Sequence, residues 1–298
     1  MTREPSEHSS LTGIALVNLA TFTWATNMVL GRWLRGDIGP LTMATIRFII
    51  ASAIFAILLQ RRPAEERRLG SDRWLLLGMA ISGVAIFAPL LYLGLRYTTV
   101  VNSTMINGFG PLITGLLATM LIGEPMNRRQ IGGALAGIAG IAILLVGNPT
   151  AVSGGLHLNV GDLVVVGAVA LWGLYSVLGR RVMNRRSALS ATAFSAFMGL
   201  PFLSLAAIWE VQHIPVHLGP GVLLALLYIG IFPTVIGFLS WNAGVRRLGA
   251  SGAMVFYNTL PLYGALLGIV FLHEPLGLYH LVGGSLIAGG GVWAARSR

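Results

Sequence analysis

The chain is a succession of apolar runs too numerous and too long for a soluble fold to hide. They lie near residues 11–30, 39–60, 74–94, 99–121, 130–147, 160–179, 188–208, 219–241, 250–271 and 279–295. Most approach the roughly 20 residues that carry a helix across a bilayer. The runs are continuous and do not alternate polar with apolar as barrel strands do. Isolated strands would leave backbone groups unpaired in lipid, so helices are the expected form. Charged residues make up only 10% of the 298, against about a quarter in a soluble domain. So few charges cannot coat a wetted surface. The expected fold is an all-α polytopic membrane protein with ten transmembrane helices.

The charges that remain are placed as orientation signals. All 20 basic residues are arginine, and all but Arg47 lie in the tails or in short connections between apolar runs. With the N-terminus inside, 16 fall on the inner side: Arg3, five in the 61–73 loop, Arg128 and Arg129, four at 180–186, Arg246 and Arg247, Arg296 and Arg298. Three, Arg32, Arg35 and Arg96, fall outside. Positive charge marks the cytoplasmic side of short-loop proteins, so both termini are expected there. A pI of about 11.1 in a soluble chain would suggest nucleic acid; between membrane spans it does not. With no cysteine, disulfide and thiolate chemistry are excluded. The mixed-charge start and the lack of a cleavage site after the first run argue against a cleaved signal peptide.

The chain also repeats itself. "GEPMNRRQIGG" at Gly123 returns as "HEPLGLYHLVGG" at His273. At the same offset of 150, Gly94 pairs with Gly244, Pro111 with Pro261, Gly133 with Gly283 and Gly140 with Gly290. At an offset of 148, Gly13 pairs with Gly161, Trp24 with Trp172, and "LGR" recurs at 30–32 and 178–180. The segments are thus a tail (1–10), a first five-span repeat (11–147), a linker (148–159), a second repeat (160–295) and a tail (296–298). Five is odd, so the second repeat enters the membrane from the opposite side. Inverted repeats are a recurring architecture of secondary transporters, because two such halves can open one shared site to either side.

The five-span unit, the "GEP"-like end of its fourth span, its glycine-rich fifth span and the arginine of "TIRFIIA" resemble the EamA-type branch of the drug/metabolite transporter superfamily. The resemblance covers nearly the whole chain. It implies a ten-span exporter or permease of amino acids, metabolites or small organic compounds, with a central cavity between the halves. It implies no cofactor and fixes no substrate. In that family an arginine is common in the second span, which generally lies outside the cavity. The related four-span multidrug exporters depend on a glutamate in their first helix, and none lies between Leu11 and Leu30 here.

Several residues are candidates for function. Arg47 is the one charge expected deep in a span; such a group is costly unless paired, hydrated or facing a cavity. A packing or carbonyl-capping role competes with a functional one. Pro111 and Pro261 should kink or interrupt equivalent spans, with freed carbonyls available to a cavity. Asn107 and Tyr257 stand four residues before these prolines, with Asn258 adjacent. Trp24 with Asn27, and Trp172 with Tyr175, are three residues apart and so share a helix face. That face suits either a cavity wall or packing between the halves. Tyr92, Asn102, Trp241 and Asn242 are further candidates. The glycine pairs of the fifth and tenth spans are expected to pack helices closely. Glu124 and Glu274, at span boundaries, are expected to fix a loop or the start of the helix that follows them.

No metal-binding, phosphate-binding or hydrolytic motif is present, and the glycines lack the strand–turn–helix setting of a dinucleotide fold. The expectation is a non-enzymatic secondary transporter of the bacterial-type inner membrane. Its partners are a small organic solute and the lipid bilayer, not nucleic acid, and it works as a monomer or a homodimer. Export of amino acids or related metabolites by alternating access leads. Uptake, broad drug efflux, and a non-transporting receptor or scaffold are the alternatives. With no deep Asp or Glu, direct proton coupling loses support against exchange or facilitated diffusion.

Overall fold

Uninterrupted apolar sequence leaves the backbone no partner but itself, and the helices follow from that. A computed structural model describes residues 7–123, 126–147 and 159–295. The expectations for the N-tail before Glu7, for Glu124 and Pro125, for the 148–158 part of the linker and for the C-tail lie outside the described residues. The first repeat holds α1 (Glu7–Trp33), α2 (Pro40–Gln60), α3 (Arg73–Met79), α4 (Phe87–Tyr97), α5 (Val100–Asn107), α6 (Gly110–Ile122) and α7 (Arg128–Gly147). The second holds α8 (Val160–Met183), α9 (Ala188–Glu210), α10 (Pro220–Ile231), α11 (Gly237–Tyr257), α12 (Thr259–Leu272) and α13 (Leu278–Ala295). There is no strand among the described residues. The exterior is apolar: Met120 is 80% and Leu205 70% exposed, as a lipid-facing surface requires.

Three boundaries differ from the sequence expectation. First, eight of the described helical stretches, not ten, are long and apolar enough by themselves to span a bilayer. Within the ninth expected span the separate helix is only Thr259–Leu272, because α11 takes in residues 250–257 without a loop. In the first repeat the corresponding point is broken at Thr98 and Thr99, where the Thr99 side chain caps α5 by accepting from the Asn102 N–H at 3.1 Å. Gly249 stands at the equivalent position and offers no cap. Second, the fourth and ninth spans are each two helices. α5 ends at Asn107 and α11 at Tyr257, equivalent residues. Pro111 and Pro261 therefore sit in the first turns of α6 and α12, where a missing N–H costs no helical hydrogen bond. Third, a wider π-helical turn interrupts the third span at Ala80–Ile86 and the eighth at Phe232–Ile236. These are equivalent positions, and the sequence reading missed them.

The packing makes the inversion visible. A Cβ on Gly133 would strike the Gly290 carbonyl, and one on Gly140 would strike that of Gly283. The residue numbers run in opposite directions, so α7 and α13 cross antiparallel. Each contact is the image of the other under the 150-residue offset. Likewise Gly94 of α4 lies on Gly161 and Val165 of α8, while Gly244 of α11 lies on Gly13 and Val17 of α1. A two-fold relation between the halves produces such reciprocal contacts. Each half therefore grips the other through glycines.

Candidate functional site

Between the halves lies a small cavity, with about 40 Å³ open to the centres of water-sized spheres. Its walls are largely rings: Trp24, Phe87, Trp172, Phe238 and Tyr257, with Met28, Leu91 and Leu260 filling between them. Its polar groups are Asn27, Arg47 and Asn107. Trp24 and Trp172, equivalent residues of α1 and α8, meet edge-on with ring centres 6.4 Å apart. Trp24 also packs on Trp241 at 5.6 Å and on Tyr257 at 6.1 Å. The mid-span tryptophans thus both line the cavity and join the halves, which unites the two roles that their spacing left open.

Arg47 is the group whose placement departs most from expectation. Its helix, α2, contributes the cavity's one charged side chain, and the residue is only 4% exposed. Nε donates to Thr234 Oγ1 at 2.6 Å, and Nη1 donates to the Tyr92 hydroxyl at 3.1 Å. Tyr92 in turn donates to Asn27 Oδ1 at 2.8 Å. No carboxylate pairs with Arg47 among the described residues. A buried ion without a counter-charge is costly, so hydroxyl dipoles are a partial substitute.

The π turn at Phe232–Ile236 explains how Thr234 comes to face Arg47. Pro233 has no N–H to give the Ile229 carbonyl, which would be its partner in an α-helix. The Thr234 hydroxyl takes that carbonyl instead, at 2.8 Å and five residues on. The Pro233 carbonyl accepts the Trp24 indole N–H at 3.1 Å. Helix irregularities of this kind are frequent at functional sites. The sequence signal was Pro233 standing opposite Gly83 in the repeat, two helix-disrupting residues at one equivalent position.

The remaining candidates fall elsewhere. Tyr92 is fully buried behind Arg47 rather than on the cavity wall. Tyr175 stacks on Trp172 at 5.0 Å and packs over Gly83 of the other π turn. Asn102 donates to both oxygens of Asp162, at 3.2 and 3.0 Å. Asn258 sits beside Gly291 of α13, its Oδ1 buried without a partner. Asn107 faces the cavity while its Nδ2 bonds the Ser103 carbonyl at 2.9 Å. Pro111 has no N–H for the Asn107 carbonyl, while the carbonyls of the turn before are taken, those of Thr104 and Met105 by the Gly108 N–H and that of Ile106 by the Phe109 N–H.

One end of the bundle is tied across the two halves. The Glu274 carboxylate accepts from the Val100 and Val101 N–H groups at 2.9 and 3.0 Å and pairs with Arg32 Nε at 3.1 Å. Glu274 thus caps α5 of the opposite repeat, and not α13, which follows it in sequence. Arg32, expected in an outer loop, reaches inward to the Leu95 and Thr98 carbonyls. Thr98 bonds Asp162 beside Asn102. Glu210 plays a similar part for α2, accepting from the Leu41 N–H at 3.1 Å and from the Thr42 N–H and hydroxyl, each at 2.7 Å. Buried carboxylates therefore exist, but at helix ends and already engaged.

Two inverted helical repeats around a ring-walled cavity with a few polar groups, in a helical bundle with an apolar exterior, define a multi-pass membrane protein of the transporter class. The EamA-like transporter family matches residues 11–146 and 159–295, and the chain belongs to that family. The chain is similar to the uncharacterized transporter YyaM of Bacillus subtilis (strain 168), 28% identical over 92% of this chain and 90% of that one. It is 25% identical to an uncharacterized transporter of Archaeoglobus fulgidus, over 92% and 94% of the two chains. It is 26% identical to the probable terminal-alkyne amino-acid exporter of Streptantibioticus cattleyicolor, over 85% and 81%. A crystal structure with 24% identity superposes on 96% of both chains with a TM-score of 0.62, a likeness of fold.

Proposed function

We propose that the protein is a secondary transporter that exports small organic solutes, amino acids or related metabolites, across the inner membrane by alternating access. The observation that carries this reading is the cavity between the inverted halves, lined by equivalent residues Trp24 and Trp172 and by Asn27, Arg47 and Asn107. Halves related in this way can rock about a fixed site and expose it to each side in turn. The Arg32–Glu274 pair joins the halves at one end, the outer one by the distribution of arginines. The name of the Streptantibioticus relative supports an amino-acid cargo and the export direction. Lipophilic cations are disfavoured, because the one charge in the cavity wall is positive.

The test is reconstitution into liposomes loaded with a mixed pool of labelled amino acids and metabolites, with and without a pH gradient. Release of a subset of the pool is expected, and a dependence on the gradient assigns the coupling. No release of any compound from folded, inserted protein would sink the reading.

A further inference from the structure

We infer that Arg47 is the receptor for a single carboxylate on the transported solute, whose apolar or aromatic body lies among the rings of Trp24, Trp172 and Tyr257. The inference rests on the transport reading and deepens it to a substrate class. Both hydroxyls that touch the guanidinium have their own protons committed elsewhere: Thr234 donates to the Ile229 carbonyl and Tyr92 to Asn27. Each can therefore only accept from Arg47. They hold the guanidinium by Nε and Nη1, while Nη2 has no partner among the described residues. Of the buried carboxylates among the described residues, Glu210 and Glu274 serve helix N-termini, Asp162 serves Thr98 and Asn102, and Asp72 pairs with Arg185 and Arg186. The cavity thus carries one fixed positive charge with no acid in its wall, inside a low-dielectric bundle.

A planar guanidinium fixed through Nε and Nη1 keeps its Nη2 donors for an oxyanion, the charge-assisted pairing by which Arg recognises carboxylates. A monocarboxylate brings the missing counter-charge. A phosphate monoester or dicarboxylate brings a second negative charge that nothing in the wall meets, and a bare amine meets repulsion. Asn27 and Asn107 stand in the same wall to hydrogen-bond an amino or amide group. The rings accept an apolar side chain.

The experiment compares four probes that differ in one group each: L-phenylalanine, L-phenylalaninamide, 3-phenylpropionate and phenethylamine. Binding to the full chain in nanodiscs is read from its tryptophan fluorescence, to which Trp24 and Trp172 contribute directly. The two carboxylates should bind at least about tenfold more tightly than the amide and the amine, as a charge-assisted pair supports. Arg47→Gln should bring that preference to within about twofold, and Arg47→Lys should keep part of it. Thr234→Val should weaken the carboxylates several-fold and leave phenethylamine unchanged. If Arg47→Gln does not fold, the Lys and Val variants carry the test.

Equal binding of phenylalanine and its amide by the parent protein would overturn the inference. So would a preference that survives Arg47→Gln, or no binding of either carboxylate at millimolar concentration. Flux of the same probes separates this result from the transport reading. Amide carried as fast as acid overturns the carboxylate receptor and leaves the transporter. Carboxylate-selective binding without any flux does the reverse.

Discussion

At the scale of single residues, a few side chains carry costs that the fold offsets elsewhere. His273 ends α12 in the left-handed region, with φ of 53°, where the equivalent Gly123 ends α6 at 69°. A side chain in that region costs roughly 1–2 kcal/mol. His273→Gly should therefore raise the thermal midpoint, by about 1 kcal/mol of stability, with flux unchanged. Glu274 is the opposite case, since two backbone N–H groups and Arg32 depend on it. Glu274→Ala should destabilise by on the order of 3 kcal/mol, as breaking a mostly buried pair does, measured by thermal unfolding in detergent. Arg47 shows why a residue's burial was legible and its purpose was not. A lone charge in an apolar run must be buried, yet the run is apolar all round and gives no facing direction. Only the Thr234 and Tyr92 hydroxyls, 187 and 45 residues away in sequence, fix which way it turns.

At the scale of elements, the irregular turns position the chemistry and the glycine faces join the halves. Pro233→Ala restores an N–H to the Ile229 carbonyl and removes the reason for the π turn at Phe232–Ile236. The helix should tighten, rotating Thr234 by part of a turn away from Arg47. The expected outcome is an unchanged or raised thermal midpoint, since proline is a poor helix residue, together with a several-fold loss of flux. Loss of both together would instead mark the turn as structural. The α7–α13 crossing makes a symmetric prediction. Gly133→Ala and its equivalent Gly283→Ala each drive a methyl into a backbone carbonyl across the interface. Each should cost about 1–3 kcal/mol, and the two losses, read from unfolding midpoints, should be similar. Small residues at matched offsets made this face legible in the sequence. The π turns were not, because a wider turn depends on which hydrogen bonds win locally, and apolar runs read alike in either form.

At the scale of the whole molecule, the repeat makes the architecture readable from the sequence. Matched glycines, prolines and tryptophans at offsets of 150 and 148 implied two halves, and an odd span number implied their inversion. The antiparallel reciprocal contacts of α7 with α13, and of α4 and α11 with α8 and α1, follow from it. Span boundaries were less legible, since α11 runs through a point where its counterpart is capped by Thr99. The absence of cysteine allows orientation to be tested with single-cysteine variants. Ser71→Cys and Asn184→Cys should react with an impermeant maleimide only after cells are permeabilised, and Gly36→Cys and Gln212→Cys in intact cells. The reverse pattern would contradict the arginine-based orientation. The most direct test of the central claim, one site between inverted halves opened to each side in turn, is counterflow in proteoliposomes. Vesicles loaded with an unlabelled mixed pool of amino acids and metabolites should draw in at least one labelled member of that pool to a transient overshoot above equilibrium. Monotonic equilibration without overshoot, or a flat trace from folded and inserted protein, would contradict it.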